Sequence, residues 1–247
     1  MFSLKSKNIL ITGAAGLIGQ QFSNSLLNAG AKCYLVDLDK NKLIRKFKKN
    51  SSAKLFSFDL TNFSELKKFK SKLDKSKIFI DTIINNAANN HSFNEKVSLW
   101  ENDLELNLTS VKNIIDIFSV NMKRKRKGNI INIGSDLSVI APDQRLYSHM
   151  NYQKPVSYSV TKHGIIGMTK YYAALLAKYN IRVNSLSPGG ILNNQDKKFV
   201  LKLKKLIPLN RMAQKDDYNG AIIFMCSDAT KYMTGHNLVI DGGRSII

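Results

Sequence analysis

In the stretch Tyr158-Ser159-Val160-Thr161-Lys162 a phenol and an ammonium stand four residues apart, which on a helix puts them side by side on one face. A phenol titrating near 10 is a poor acid or base at neutral pH. A neighbouring positive charge favours its phenolate, and each unit of lowering is worth about 1.4 kcal/mol. A YxxxK spacing is common, and a solvated helix pair is its bland reading. Its company gives it weight: upstream, Asn132-Ile133-Gly134-Ser135 ends an apolar run with a hydroxyl, at the kind of sheet edge where doubly wound proteins bind ligands.

A second constellation lies near the start. Thr12-Gly13-Ala14-Ala15-Gly16-Leu17-Ile18-Gly19 spaces glycines every three residues, directly after the apolar run Asn8 to Thr12 and at the opening of a helical pattern. Such a turn is tight, lets a pyrophosphate approach bare backbone, and offers it the free N–H groups and positive dipole end of a helix. A glycine-rich turn alone is weak evidence, but Asp37 falls 18 residues after Gly19 at the end of the next apolar run, Cys33 to Val36. A carboxylate there accepts hydrogen bonds from ribose hydroxyls and repels a 2′-phosphate. NAD is therefore expected rather than NADP, although Lys40 and Lys42 lie close by. Asp59-Leu60, after a third strand, is positioned to offer adenine a polar group and an apolar lid.

The elements that must hold these residues follow from hydrophobic periodicity. Continuous apolar runs at Asn8 to Thr12, Cys33 to Val36, Lys54 to Phe58, Ile78 to Asn85, Gly128 to Ile133, Arg182 to Ser187 and Asn237 to Ile240 predict strands. Helical spacing runs from Leu17 to Gly30, and over Asn62 to Leu73, Leu99 to Met122, Ser157 to Tyr179 and Asp216 to Cys226. Alternating strands and helices with fully apolar strands imply an α/β fold, a Rossmann-type doubly wound parallel sheet flanked by helices on both faces. With 247 residues, no linker and no repeat, one domain over 1–247 accounts for the chain.

These motifs, with Asn85-Asn86-Ala87-Ala88, Asn107, Ser187-Pro188-Gly189-Gly190, Thr234-Gly235 and Asp241-Gly242-Gly243, resemble the short-chain dehydrogenase/reductase family in order and across essentially the whole chain. The resemblance implies a hydride-transferring oxidoreductase acting on CH–OH groups with NAD(P). It implies that Tyr158 is the general acid/base, that Lys162 holds the nicotinamide ribose and lowers the tyrosine pKa, and that Ser135 hydrogen-bonds the substrate oxygen. It also implies that Asn107 holds a water relaying protons toward Lys162. The cofactor residues it implies are Gly13, Ala15, Gly16, Leu17, Ile18, Gly19, Asp37, Asp59, Leu60, Asn86, Ala87, Ala88, Tyr158, Lys162, Pro188, Gly189, Ile191 and Asn193. The glycine spacing resembles the family's extended branch, whereas Pro-Gly-Gly and Asp-Gly-Gly resemble its classical branch. The length favours the classical type, and Asn193 stands where the family often has threonine.

Ser135 and Tyr158 are 23 apart, wider than the family's usual interval, so an inserted substrate loop is expected at about 140–155. Gln144, Arg145 and His149 from that loop, with Asn89, are the candidate substrate residues. Asn90, His91, Asn194 and Gln195 add to an amide-rich lining that favours a polar, hydroxylated substrate, a sugar or sugar derivative, over a steroid or acyl chain. A sugar phosphate or nucleotide sugar would suit Arg145. The motifs around Tyr158 and after Pro188 are also similar to family members of bacterial surface-polysaccharide and flagellin-glycan clusters, which points to carbohydrate metabolism. The alternatives are a 3-oxoacyl-thioester reductase and a non-catalytic basic binding protein.

Charge and cysteines discriminate less. The chain carries 38 Lys plus Arg against 18 Asp plus Glu, a formal charge of +20, but 31 of the basic residues are Lys, and Asn and Ile occur 25 times each, a bias that AT-rich coding would produce. The run Lys123 to Lys127 lacks interleaved aromatics, so neither nucleic acid nor membrane is an expected partner. Cys33 and Cys226 lack metal or disulfide spacing, no metal is expected, and no signal or membrane segment is read. A cytoplasmic homodimer or homotetramer is the expectation.

Overall fold

The computed structural model describes residues 2–89 and 100–247. Seven strands, β1 (Asn8–Thr12), β2 (Lys32–Asp37), β3 (Ala53–Ser57), β4 (Thr82–Asn85), β5 (Gly128–Ile133), β6 (Ile181–Pro188) and β7 (Asn237–Ile240), form one sheet in the order β3-β2-β1-β4-β5-β6-β7. Every pairing is parallel. The order reverses between β1 and β4, so the connections leaving their C-terminal ends diverge and open a crevice there.

Parallel strands bury both faces, and alternate side chains must therefore feed two cores. Ile9, Ile11, Ile84 and Ile131 join one core with Phe22 and Leu26 of α1 (Leu17–Asn28) and Ile222 and Met225 of α8 (Asn219–Cys226). Leu10, Ile83 and Ile130, each one residue out of phase, join the other. There they meet Phe69 of α3 (Phe63–Lys75), Ile114 and Phe118 of α5 (Ser110–Lys125), and Ile165 and Tyr172 of α6 (Val156–Ala177). Among the described residues no helix is long and apolar enough to cross a membrane, and no cluster of three or more His, Cys, Asp or Glu side chains forms a metal cage.

Some boundaries differ from the periodicity. The expected strand from Ile78 shrinks to β4, because Ile78 N is turned back to Leu73 O at 2.9 Å and the backbone joins the sheet only near Asp81, whose N donates to Asn8 O. Two short helices, α2 (Lys40–Phe47) and α7 (Lys197–Lys204), lie in Lys-rich segments whose apolar face is only two buried residues wide. The helix expected over Leu99 to Met122 is α4 (Trp100–Leu104) and α5 joined by a π-helical turn, Glu105–Thr109; Leu99 lies outside the described residues. The basic run is a helix terminus. Lys123, Arg124 and Lys125 occupy the last turn of α5, where cations favour the dipole, and Arg126 caps it with φ +49°.

The segment at about 140–155 builds a third, smaller core. Its Leu146 and Tyr147 pack on Phe199 and Leu203 of α7 and on Met212, and the Tyr147 and Phe199 rings stack at 5.4 Å.

Candidate active site

The glycine-rich turn is braced from β4. Thr12 Oγ1 accepts the backbone N–H groups of Asn86 and Ala87, both at 3.1 Å, and Asn86 Nδ2 donates to the carbonyls of Thr12 and Gly13, both at 3.0 Å. Asn86 and Ala87, expected only to line the groove, thus also hold the turn in shape. Gly13 adopts φ +63°, and a Cβ on it would meet Ala87 Cα at 2.7 Å. Gly16 caps α1 with extended backbone and no side-chain partner, leaving the first helical N–H groups facing the crevice. This is a cradle for an anionic diphosphate and fits a dinucleotide. Asp37, at the end of β2, accepts from Ala15 N at 2.8 Å through one oxygen and from Asp39 N at 3.0 Å through the other. A carboxylate offers about four lone-pair sites, so capacity for ribose hydroxyls remains.

At the far end of the same crevice lie the acid/base candidates. Ser135 follows β5, Tyr158 and Lys162 share one face of α6, and the Tyr158 hydroxyl hydrogen-bonds Ser135. Burial pushes the Tyr158 phenol up to about 12, with Asp136 and Tyr152 adding to the rise and the Ser135 hydrogen bond opposing it. Lys162, 5% exposed, donates to Ile133 O at 3.0 Å. Burial, seconded by the charge of Lys154, draws its ammonium down to about 8.

Ser135 is itself oriented. Its hydroxyl donates to Asp136 Oδ1 at 2.8 Å, and Arg244 Nη1 holds Asp136 Oδ2 at 2.6 Å, a pair whose side chains are only 9% and 5% exposed. A buried pair is costly to break, about 3–5 kcal/mol when one partner is lost, so it anchors the segment after β5 to the Asp-Gly-Gly turn. Asn107 sits in the π-helical turn, a distortion that often marks functional positions. It accepts from Asn89 N at 2.8 Å and turns its amide toward Thr161 Oγ1 at 3.3 Å, tying the helix to the segment after β4 and to α6.

A cleft of about 1070 Å³ joins both ends. All the expected cofactor residues except Gly19, which is packed under the turn, line it, as do Ser135, Tyr158, Lys162 and Asn89. Lys42 reaches the wall and Lys40 does not. Asp59 is engaged with the Thr61 N–H and hydroxyl at 2.9 and 2.8 Å.

Three expected substrate residues are not on this wall. Arg145 points to solvent with its side chain 88% exposed and is held by Asp143 at 2.8 Å. His149 pairs with Asp196 at 2.7 Å, and Gln144 spends its amide on the backbone of Lys154. Arg145 and Gln144 are satisfied within their own loop, and His149 pairs with the residue that caps α7, onto which the loop folds. The loop instead presents Leu146, Tyr147, Tyr152 and Lys154 to the cleft, a wall less amide-rich than expected. Asn193, Asn194 and Gln195 do line it, while Asn90 and His91 lie outside the described residues. Sequence reasoning passed over Lys154, Asp136 and the role of Arg244. The one signal for Lys154 was its position four residues before Tyr158, matching Lys162 four after.

A family model described as enoyl-(acyl carrier protein) reductase matches residues 13–245. An NAD-dependent glycerol dehydrogenase of Listeria innocua is 31% identical over 99% of this chain and 96% of its own. A post-translational flagellin modification protein A of Campylobacter coli is 30% identical over 97% and 98%, and a 3-oxoacyl-(acyl-carrier-protein) reductase of Buchnera aphidicola is 31% identical over 99% and 100%. Among solved structures, a short-chain dehydrogenase from Leptospira borgpetersenii with bound NAD+ superposes with a TM-score of 0.89 at 32% identity, covering 98% of this chain and 94% of that one.

Proposed function

The chain belongs to the short-chain dehydrogenase/reductase family, and from that premise we propose that it is an oxidoreductase that moves hydride between NAD and a hydroxyl of a polar substrate, a sugar or sugar derivative. Dependence on a nicotinamide dinucleotide and action on CH–OH groups come with the family. NAD as the preferred form, the sugar, and the roles of individual residues are our reading. The observation that carries it is the hydrogen-bonded Ser135–Tyr158 pair beside Lys162, in the same cleft as the glycine-rich turn.

In the oxidising direction the carbinol oxygen sits between the hydroxyls of Ser135 and Tyr158. Tyr158 takes its proton as general base. Lys162, fixed by Ile133 O, presents its charge to the phenolate, and Asn107 holds the water that passes the proton onward. In this structure Ser135 gives its one proton to Asp136, which Arg244 holds in place, so the hydroxyl turns from Asp136 to the carbinol oxygen when substrate binds. Bound NAD supplies the hydride acceptor. Residues 1–247 serve as one cofactor-binding domain with its catalytic edge built in, and about 140–155 as the inserted substrate loop. Exposed Tyr171 and Leu175 on α6 support self-association as a homodimer or homotetramer.

Asp37 underlies the cofactor preference. Replacing it with Ala should raise KM for NAD by about tenfold or more, the worth of one or two hydrogen bonds to a charged acceptor, and raise KM for NADP less. A wild-type enzyme that already prefers NADPH would refute this assignment. A screen of NAD reduction over polyols, sugar acids, sugar phosphates, nucleotide sugars and 3-hydroxyacyl thioesters tests the substrate class. Turnover is expected with a hydroxylated sugar derivative. The apolar side chains of Leu146, Tyr147 and Tyr152 on the loop wall favour a second reading, an acyl-thioester reductase, which turnover of the thioester alone would establish.

A further inference from the structure

We infer that Asp136 is a positioning residue that decides which way the Ser135–Tyr158 hydrogen bond runs, and that it holds the resting enzyme with the proton on Tyr158. That is the form that meets a carbonyl oxygen in the reducing direction. The inference deepens the reading of Tyr158 as the acid/base and rests on it. Asp136 follows Ser135 directly and is buried, 3% exposed. Its Oδ1 accepts the Ser135 hydroxyl and the Leu137 N–H, both at 2.8 Å, and its Oδ2 accepts Arg244 Nη1 at 2.6 Å.

The supply of protons fixes the direction of these bonds. A carboxylate has none to give and a serine hydroxyl has one, so the Ser135 proton lies toward Asp136. What Ser135 offers its other neighbours is lone pairs. One meets the Leu137 N–H at 3.2 Å. The other faces the Tyr158 hydroxyl, which hydrogen-bonds Ser135 and must therefore be the donor. A phenolate in that place would face lone pairs until the Ser135 proton swung over to it, at the cost of its bond to a buried carboxylate. Asp136 is not free to follow, because Arg244 grips its other oxygen from the turn after β7.

The charges around the phenol act in both directions. Burial foremost, then Asp136 and Tyr152, push it up to about 12. Lys154 and Lys162 place ammonium groups 3.9 and 5.7 Å from the centre of its ring, and positive charge there favours the phenolate. Asp136 itself is faced by Arg244, its ion-pair partner, and lies within the field of Tyr147, Lys154 and Tyr218. Two effects of Asp136 therefore add: its charge and its claim on the Ser135 proton both disfavour the phenolate. The second sets positioning apart from a plain field effect, because it acts through Ser135 alone.

The test reads ionisation and needs no substrate. Each protein, and the same protein carrying Tyr158→Phe, is jumped to a series of alkaline pH values in a stopped-flow instrument. The difference in tyrosinate absorbance titrates Tyr158 before the chain unfolds. The wild-type signal is expected only toward pH 12. In Asp136→Asn the amide oxygen can keep Arg244 only by turning its NH2 to Ser135, which frees the serine proton for Tyr158. The midpoint should drop by about one to two pH units, the worth of one hydrogen bond to a charged group. In a Ser135→Ala background the same substitution should move it far less. Circular dichroism and NAD affinity establish that each variant is folded. If the stranded charge of Arg244 unfolds Asp136→Asn, the neutral pair Asp136→Asn with Arg244→Gln is titrated in its place, with the same expectation. No shift, or equal shifts with and without Ser135, overturns the proposal. A shift that needs Ser135, in an enzyme that oxidises none of the screened alcohols, upholds Asp136 and counts against the catalytic reading instead.

Discussion

Tyr158→Phe should lower turnover by about 10²- to 10⁴-fold, the range that a positioned general acid or base contributes, while NAD binds as before. The phenol lies where only its hydroxyl is specific: the ring packs under Lys154 and the hydroxyl meets Ser135, so Phe keeps the packing and deletes the acid/base group. The pH profile adds a second signature. Burial holds the phenol near 12 in the free protein, and alcohol oxidation needs it deprotonated. Wild-type oxidation should therefore rise with pH, then bend over as Lys162, drawn down to about 8 by burial, loses the charge that stabilises the phenolate. The residual activity of Tyr158→Phe should lack the rising limb. Activity equal to wild type would remove Tyr158 from the mechanism.

The second large effect belongs to a residue that never touches the cleft. A Cβ on Gly19 would collide with the Gly13 carbonyl oxygen and come within 2.9 Å of Asn86 Nδ2. Neither neighbour can yield cheaply. The Gly13 carbonyl already accepts Gly16 N and Asn86 Nδ2, both at 3.0 Å, so relief means opening the cofactor turn. Gly19→Ala should weaken NAD binding by about 10- to 100-fold, the 1–3 kcal/mol typical of overpacking. In a thermal melt, NAD should raise Tm for the wild type by ligand linkage and raise it much less for the variant. Gly220→Ala is the control: a Cβ there meets nothing within 4 Å, so it should leave NAD affinity unchanged and be neutral or slightly stabilising in α8. Unaltered NAD affinity in Gly19→Ala would mean that the turn has been misassigned.

The legible and the illegible parts of this chain differ in the range of the interactions that decide them. Strand β1, the turn and the start of α1 could be read from Asn8 to Gly19 because their pattern is local: an apolar run, glycines where a Cβ has no room, then helical spacing. The Tyr158–Lys162 pair was legible because helix geometry alone makes such residues neighbours. The helices α2 and α7 were not, because two buried residues each leave almost no periodic signal among lysines. The π-helical turn at Asn107 was not, because it follows from hydrogen bonds to Asn89 and Thr161, residues far away in sequence.

The segment at about 140–155 shows the same division most sharply. The interval between Ser135 and Tyr158 drew attention to it, but which of its side chains face the cleft depends on how Leu146 and Tyr147 dock onto Phe199 and Leu203. That docking turns Arg145 and His149 outward to Asp143 and Asp196 and turns Lys154 inward over Tyr158. By itself the sequence determined the α/β fold, the glycine-rich turn and the pairing of Tyr158 with Lys162, since each rests on a short period and on residue types with few substitutes. Only the tertiary structure decided which side chains of the segment at about 140–155 line the cleft and what holds Ser135. Those outcomes depend on contacts such as Asp136 with Arg244, 108 residues apart, and no local pattern encodes a partner at that distance.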